Sequence, residues 1–282
     1  MPTPEITIRR ALTIADYHAC QRAQRAAWGI DDESYVVPVA TMVGAQYHGG
    51  LVLGAFLPDG EAAGMSFAFL GRESGGLCLY SQLTGVVPGF QDQGLGYRMK
   101  MFQRDFARAE RIPCIAWAFD PLQAGNAHFN LEKLGATAAR YVVDMYGPRT
   151  DALNRATATD RLIAVWETAP ALPRSFSYGM LRDMPRLTND ETVSEPIALL
   201  EIPLDVNRLR RERREEAEAW GRGVRQAFLA AFSAGYRAVG FVRDDAETTK
   251  ERRGFYVLER GSEPPPISHL APPDSAYLKN LQ

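Results

Sequence analysis

The sequence predicts a mixed α/β (α+β) fold, and three observations carry that prediction. Short runs with strand alternation take turns with segments of helical periodicity over residues 6–167. A glycine-rich turn, Gly89 to Gly96, leads from a strand straight into a helix. The strand after that helix, Cys114 to Phe119, is short and uncharged, as expected of a strand buried on both faces beside a parallel neighbour. Together these features require at least one parallel crossover in a sheet flanked by helices.

The elements follow in order. Ile6 and Ile8 mark a first strand, and Thr13 is placed to cap a helix from Ile14 to Trp28 that Gly29 stops. Ser34 to Gln46 reads as a second helix, with Pro38 tolerated in its first turn. Leu51–Leu57 and Ala62–Leu70 form a hairpin around Pro58-Asp59-Gly60, and Leu77–Val87 is the fourth strand. A helix over 94–108 and the strand 114–119 come next. Gly125-Asn126 opens a helix that Gly135 ends, and strands follow at Ala138–Tyr146 and Leu162–Glu167. Prolines 170, 173, 185 and 196 around Thr188-Asn189-Asp190 read as a linker or surface excursion. Beyond it lie a strand at 197–202, a long charged helix at 205–233 and strands at 237–242 and 254–258. The tail with Pro264-Pro265-Pro266 and Pro272-Pro273 has no periodicity. The expected organisation is a catalytic unit over 1–168, a linker over 169–195 and a C-terminal strand-helix-strand extension over 196–282.

Composition narrows the function. The chain has 282 residues, 46% hydrophobic and 23% charged, enough for a sizeable core. Its 32 Lys+Arg against 34 Asp+Glu leave no cationic excess for a phosphate polymer, which argues against nucleic acid as the main partner. Cys20, Cys78 and Cys114 lack CxxC spacing and read as reduced thiols, with no zinc or other metal site implied. The stretch from Ser34 to Pro58 carries no Asp, Glu, Lys or Arg, but Pro38, Gln46, His48 and Gly49-Gly50 interrupt it. With no apolar leader in MPTPEITIRRA, the expectation is a cytoplasmic protein without membrane contact.

The segment that carries chemistry is Gln91-x-x-Gly94-x-Gly96 between a strand and a helix. The first N–H groups of a helix lack internal partners, the helix dipole adds positive potential, and glycine lets the backbone approach a phosphate. No Lys-Ser/Thr pair follows, so a Walker loop is excluded, and the spacing is wrong for a dinucleotide fingerprint. The pattern resembles motif A of the GNAT superfamily of acyl-CoA-dependent N-acyltransferases, [Gln/Arg]-x-x-Gly-x-[Gly/Ala]. Val86-Val87-Pro88-Gly89-Phe90 precedes it as a V-x-P-x-aromatic run does in that family, and Gly125-Asn126-Ala127 with Glu132-Lys133-Leu134-Gly135 resembles its second signature. A narrower likeness, through Trp117 to Leu122, Asn126 to Ala136, Tyr146-Gly147, Asp151 to Asn154 and Thr159 to Leu162 with Trp166, is to a bacterial subfamily that includes amino-acid N-acyl- and N-succinyltransferases.

The resemblance implies a GNAT fold, in which a mixed sheet splays between its fourth and fifth strands. It implies acetyl-CoA or succinyl-CoA as co-substrate and a primary amine, most simply of an amino acid, as acceptor. Gln91, Gln93, Gly94, Leu95, Gly96 and Tyr97 would hold the pyrophosphate. Val86 and Val87 would line the arm with a backbone N–H on the thioester oxygen, and Asn126 would hold the arm or cap its helix. Many relatives place a Tyr four residues before the helix-ending glycine to protonate the leaving thiolate; here that residue is Leu131. Tyr141 or Tyr146 could replace it, or the thiolate leaves unassisted.

Asp120 either deprotonates the acceptor or forms an Asx turn with Pro121. Glu33 is a further base or substrate contact on the loop that often covers the acceptor. Arg161 binds a carboxylate or pairs internally with Asp160 or another acid. The run Arg208 to Glu218 is a solvated helix face. A protein or aminoglycoside-type acceptor, and a CoA-sensing module without turnover, stay open as alternatives. Residues 196–260 cover the acceptor cleft, form a homodimer or extend the sheet.

Overall fold

In the computed structural model, which describes residues 5–147, 158–169, 174–187, 195–244 and 253–261, the strands join in one continuous sheet. They are β1 (Thr7–Arg10), β2 (Leu51–Phe56), β3 (Ala62–Glu73), β4 (Gly76–Val86), β5 (Cys114–Phe119), β6 (Thr137–Val142), β7 (Arg161–Glu167), β8 (Ile197–Pro203), β9 (Tyr236–Arg243) and β10 (Arg253–Arg260). Their order is β1-β2-β3-β4-β5-β7-β6-β9-β10-β8. Neighbours pair antiparallel except β4 and β5, which run parallel. The Asp151 to Asn154 segment, Thr188-Asn189-Asp190 and the proline-rich tail lie outside the described residues.

Helices cover both faces. On one pack α3 (Leu95–Ala109), α4 (Ala124–Ala127) and α7 (Arg214–Ser233), sharing a core with Leu51, Leu53 and Ala55 of β2 and with Phe241 and Tyr256 farther along. On the other, α1 (Ile14–Trp28) and α2 (Val39–Tyr47) cover Val52 and Phe56 of the same strand. Both faces of β2 are therefore buried, which explains its uncharged sequence. At the far end α5 (Tyr178–Leu181) packs on Leu199, Val239 and Val257. Tyr178 stacks on Phe255 at 5.0 Å between centroids. Among the described residues no helix is long and apolar enough to cross a membrane.

Local chemistry sets the boundaries. In α1 a capping box joins Thr13 and Asp16, and Asp16 also holds Arg9 through two 2.8 Å contacts. That guanidinium keeps the Asp16 carboxyl well below the usual carboxylate range. Two expected single helices are each divided. The first is a 3₁₀ turn, Glu33–Tyr35, and α2, because Pro38 is the extended N-cap of α2 rather than a first-turn residue. The long charged helix is α6 (Val206–Glu212) and α7, broken at Arg213 with φ −141°. Its i,i+4 pairs Arg208–Glu212 and Arg214–Glu218 lie on the expected solvated face. The strand expected to reach Tyr146 ends at Val142, and 143–146 form turns.

The C-terminal strands extend the sheet through a single register pair, Ala138 with Ala238. Side chains reinforce that narrow join. Asp160 accepts from the Tyr141 hydroxyl at 2.7 Å and from Arg225 of α7 at 2.7 and 2.8 Å. The buried Tyr256 hydroxyl donates to the Pro121 carbonyl at 2.7 Å.

Candidate active site

β4 and β5 pair only over Cys78–Tyr80 with Cys114–Ala116 and then diverge. A register shift between β3 and β4, where Phe67 faces Leu83 but Ala68 faces Ser81, leaves Gln82 as an extra residue and turns the end of β4 away. The result is a cleft of about 540 Å³ between the two strands. Its walls include Ser81 to Val86 of β4, Trp117 to Phe119 of β5, Gln24 and Trp28 of α1, and Asn126 and Asn130 on the helix after β5.

The Val87 N–H donates to the Ala63 carbonyl at 2.9 Å. Strand alternation therefore turns the Val86 N–H the other way, into the cleft. Of the two valines, Val86 alone is on the cleft wall. Its carbonyl accepts from Gln91 Nε2 at 3.1 Å, while Gln93 Nε2 donates to the Gly89 carbonyl at 3.3 Å. Both glutamines thus brace the loop with their side chains.

At the mouth of the cleft α3 begins. Gly94 is its N-cap at φ +72°, a conformation few side chains adopt, and no side chain caps the helix. The Arg98 N–H reaches back to the Gly94 carbonyl at 3.0 Å, so the N–H groups of Leu95, Gly96 and Tyr97 precede the first helical bond. Gly96 lines the cleft, and a Cβ there would stand 3.9 Å from Val86 Cγ2. This is an uncapped, glycine-opened anion cradle at the entrance of a groove. The residues fit a pyrophosphate with an extended arm behind it.

The other candidates divide between cleft and elsewhere. Asp120 is on the wall with both oxygens engaged: Oδ1 accepts from the Leu122 N–H at 2.9 Å, the expected Asx turn, and Oδ2 from Arg210 at 2.9 Å. Tyr146 and Arg161 also line the cleft, with the guanidinium 5.2 Å above the Tyr146 ring. The expected pairing of Arg161 with the Asp160 side chain is not made. Arg161 donates to the Asp160 carbonyl at 2.7 Å because Arg225 takes the carboxylate. Tyr141 is off the wall, and burial with Asp160 beside it pushes its hydroxyl well above the usual range. Glu33 turns outward to Arg25 at 2.5 and 2.8 Å, while Tyr35 of the same loop faces the cleft.

The helix after β5 corrects two expectations. Its N-cap is Gln123, so Asn126 is a helical residue that lines the cleft, not the cap. From His128 to Lys133 it winds as a π-helix, which shifts the facing side chains by one residue. Leu131, where the GNAT resemblance implies a tyrosine, is 2% exposed in the apolar core, and Asn130 is on the cleft wall.

Three further residues matter here: Asn207 and Lys100 on the wall, neither singled out in the sequence, and Arg210, which leaves the run read as a solvated helix face to pair with Asp120 beside the wall. Asn207 and Arg210 arrive from α6, and Asn207 accepts from Gln123 Nε2 at 2.9 Å. The third is Lys100, one turn beyond Gly96 on α3. Its Nζ donates to Ser81 Oγ at 3.0 Å and sits 3.9 Å from the centroid of the Trp117 ring. A lysine on the buried stripe of Leu95, Met99, Gln103 and Ala107 is legible in the sequence, and nothing in the sequence forecasts Arg210 reaching Asp120 across ninety residues.

No known family model and no curated protein sequence matches the chain. Among solved structures it is similar to the ribosomal-protein-S18-alanine N-acetyltransferase from Escherichia coli, at 17% identity and TM-score 0.46 over 61% of this chain and 99% of that one. It is similar also to an IAA acetyltransferase from Bacillus cereus ATCC 14579, at 13% and 0.43 over 58% and 99%. A GNAT-family acetyltransferase from Staphylococcus aureus Mu50 aligns at 9% and 0.41 over 58% and 100%.

Proposed function

We propose that this protein is an N-acyltransferase that moves an acetyl or succinyl group from its CoA thioester to the primary amine of a small molecule, an amino acid being the simplest. The observation that carries this reading is the uncapped start of α3 at the mouth of a cleft into which the Val86 N–H points. The N–H groups of Leu95, Gly96 and Tyr97 would hold the pyrophosphate, and the thioester supplies an activated carbonyl. Val86 would donate to its oxygen as negative charge develops there. Trp28, Tyr35 and Phe119 on the wall exclude water around the reacting groups. Holding both reactants in one cleft supplies much of the acceleration.

The acceptor class is read from the charges that the cleft wall carries. Arg161, a residue 8% exposed on the cleft wall, has the charge to meet a carboxylate, and Asp120 on the same wall, already holding Arg210, has the charge to meet an ammonium. The test is free-thiol release from acetyl-, propionyl- and succinyl-CoA with amino acids, other amines and a peptide, using Gly94→Asp as control. Acceptor-dependent release that the control lacks is the expected result. Tight CoA binding with no release from any pair would point to a sensing module, and absence of CoA binding would remove both readings.

A further inference from the structure

The wall of the cleft carries a buried cation that the reading above leaves without a task. Lys100 is 4% exposed, and Ser81 is its hydrogen-bond partner among the described residues, with no ion pair to a carboxylate there. It bridges the diverging strands where they part, touching β4 through Ser81 and β5 through Trp117. Ser81 continues into a buried polar group, with Gln103 at 3.0 Å and Thr84 at 3.3 Å, and Gln103 in turn holds Ser66. The charged and titratable side chains sharing the cleft are Asp120 and Arg161 with Tyr35 and Tyr146. Arg104 on the next residues of α3 lies over Trp166 instead.

Position decides which reacting group Lys100 meets. α3 carries the cradle, so the cofactor side of the sheet is the α3 face, whereas α1 and the 30–35 loop close the cleft from the opposite face. Lys100 projects from α3, one turn deeper than the glycine beside Val86. An arm held by the cradle and threaded past Val86 brings its sulfur, rather than the incoming amine, towards Nζ. On the helix after β5, the wall offers Asn126, Phe129 and Asn130, none of which can give up a proton.

Resting on the acyltransferase reading, we propose that Lys100 is a catalytic residue that protonates the departing thiolate. As the acceptor nitrogen bonds to the carbonyl carbon and the C–S bond breaks, the electron pair stays on sulfur. One Lys100 N–H proton then moves to it, giving free CoA thiol and a neutral amine. The proton shed by the acceptor nitrogen leaves to solvent, and an equal one returns to Lys100 through the open cleft. Burial pushes the Lys100 amine down to about 7, so it is a stronger acid than a thiol of about 8.5 and the transfer runs downhill.

The experiment compares wild type with Lys100→Met, which keeps the length and removes the proton. Turnover should fall by roughly 100-fold with CoA affinity little changed. The wild-type rate should decline as the pH rises and Lys100 loses its proton, and that limb should be missing in the variant. Independently of turnover, the ultraviolet absorbance of the thiolate of bound CoA should be greater in wild type than in Lys100→Met below a pH of about 7, where Lys100 keeps its charge, and the difference should fade at higher pH. Equal turnover and an unchanged thiol titration would overturn the proposal. So would loss of a rising pH limb, which would make Lys100 the base, or a defect confined to succinyl-CoA, which would make it a receptor for the acyl carboxylate. Wild type that binds CoA without releasing thiol counts against the acyltransferase reading, and the thiol titration then still decides for Lys100.

Discussion

Two of the strand-helix-strand crossovers among the described residues differ in what they leave open, and one of them ends in a cleft. In the first, β4 leads through Gly94 into α3 and back to β5; in the second, β8 leads through Asp205 into α6 and α7 and back to β9. The first helix is uncapped and its strands are adjacent but part after three register pairs. The second helix is capped by its own chain, Asp205 accepting from the Arg208 N–H at 2.9 Å. Its strands are separated by β10, which pairs with both along most of its length. Phe228, Phe241 and Tyr256 fill the face between α7 and the sheet. Binding capacity thus follows from what is withheld. The first crossover leaves helix N–H groups and strand edges unsatisfied, and the second satisfies them internally.

Closing the first crossover should have the largest effect. Gly94→Asp puts a side chain on a residue at φ +72° and a carboxylate where the pyrophosphate would sit. CoA affinity, measured by calorimetry, should fall by at least about 100-fold, or ~2.7 kcal/mol. Gly96→Ala sharpens the point: its Cβ meets only Val86 Cγ2 at 3.9 Å, so the protein should fold as before and any loss must come from crowding the ligand.

The next effect concerns the buried cation beneath the open crossover. Burial lowers the folded-state value of Lys100 to about 7, whereas the unfolded chain keeps the ordinary lysine value of 10.5. Between these values the unfolded state binds more protons, so wild-type stability rises with pH across that window and is lowest below it. Lys100→Met should therefore be more stable than wild type at a pH well below 7, by on the order of a few kcal/mol. The gap should shrink as the pH climbs towards 10.5. Urea unfolding of both proteins across the window checks this, and a gap independent of pH would mean that the lysine stays charged.

A third prediction breaks the join between the two halves. Asp160→Ala removes the acceptor of Tyr141 and both contacts of Arg225. Arg225 keeps nearly a third of its side chain in water, so the expected loss is about 2 kcal/mol, below the range for fully buried pairs. Chemical unfolding should show the loss, and the CoA affinity should stay near that of wild type, because the cradle lies on the other side of β5.

What the sequence made legible divides along the same line. The α1 boundaries, the hairpin, the cradle and β5 all rest on local signals: Thr13 and Gly29 as caps, Pro58-Asp59-Gly60 as a turn, glycine spacing, and the absence of charge in 114–119. Local reasoning also reached Val86, Gly96, Asp120, Tyr146 and Arg161, all of which the fold brings to one cleft. It failed where tertiary context overrides local preference. Pro38 looked compatible with a first helical turn, and the break at Arg213 has no proline or glycine to announce it. The π-helix from His128 puts Asn130 on the cleft wall and Leu131 in the core, a facing that no residue in the segment announces. Arg210 on Asp120 depends on how two distant segments pack, and no spacing within either encodes that.

The smallest effect tests the closed crossover by itself. Asp205→Ala removes the side-chain acceptor at the start of α6, exposing one N–H that Arg208 now donates to it. Loss of such a cap costs about 1 kcal/mol, and solvent at this exposed site can replace part of the bond. The thermal midpoint should drop slightly and CoA affinity should not change. Uncapping alone does not create a cradle, because Asp205 keeps a Cβ where the first crossover has glycine, and β10 still fills the space between β8 and β9. If Asp205→Ala acquired measurable affinity for CoA or inorganic pyrophosphate, helix exposure would suffice for binding and the strand divergence would be incidental. If it did not, the parting of β4 from β5 is as necessary to the site as the glycines that open α3.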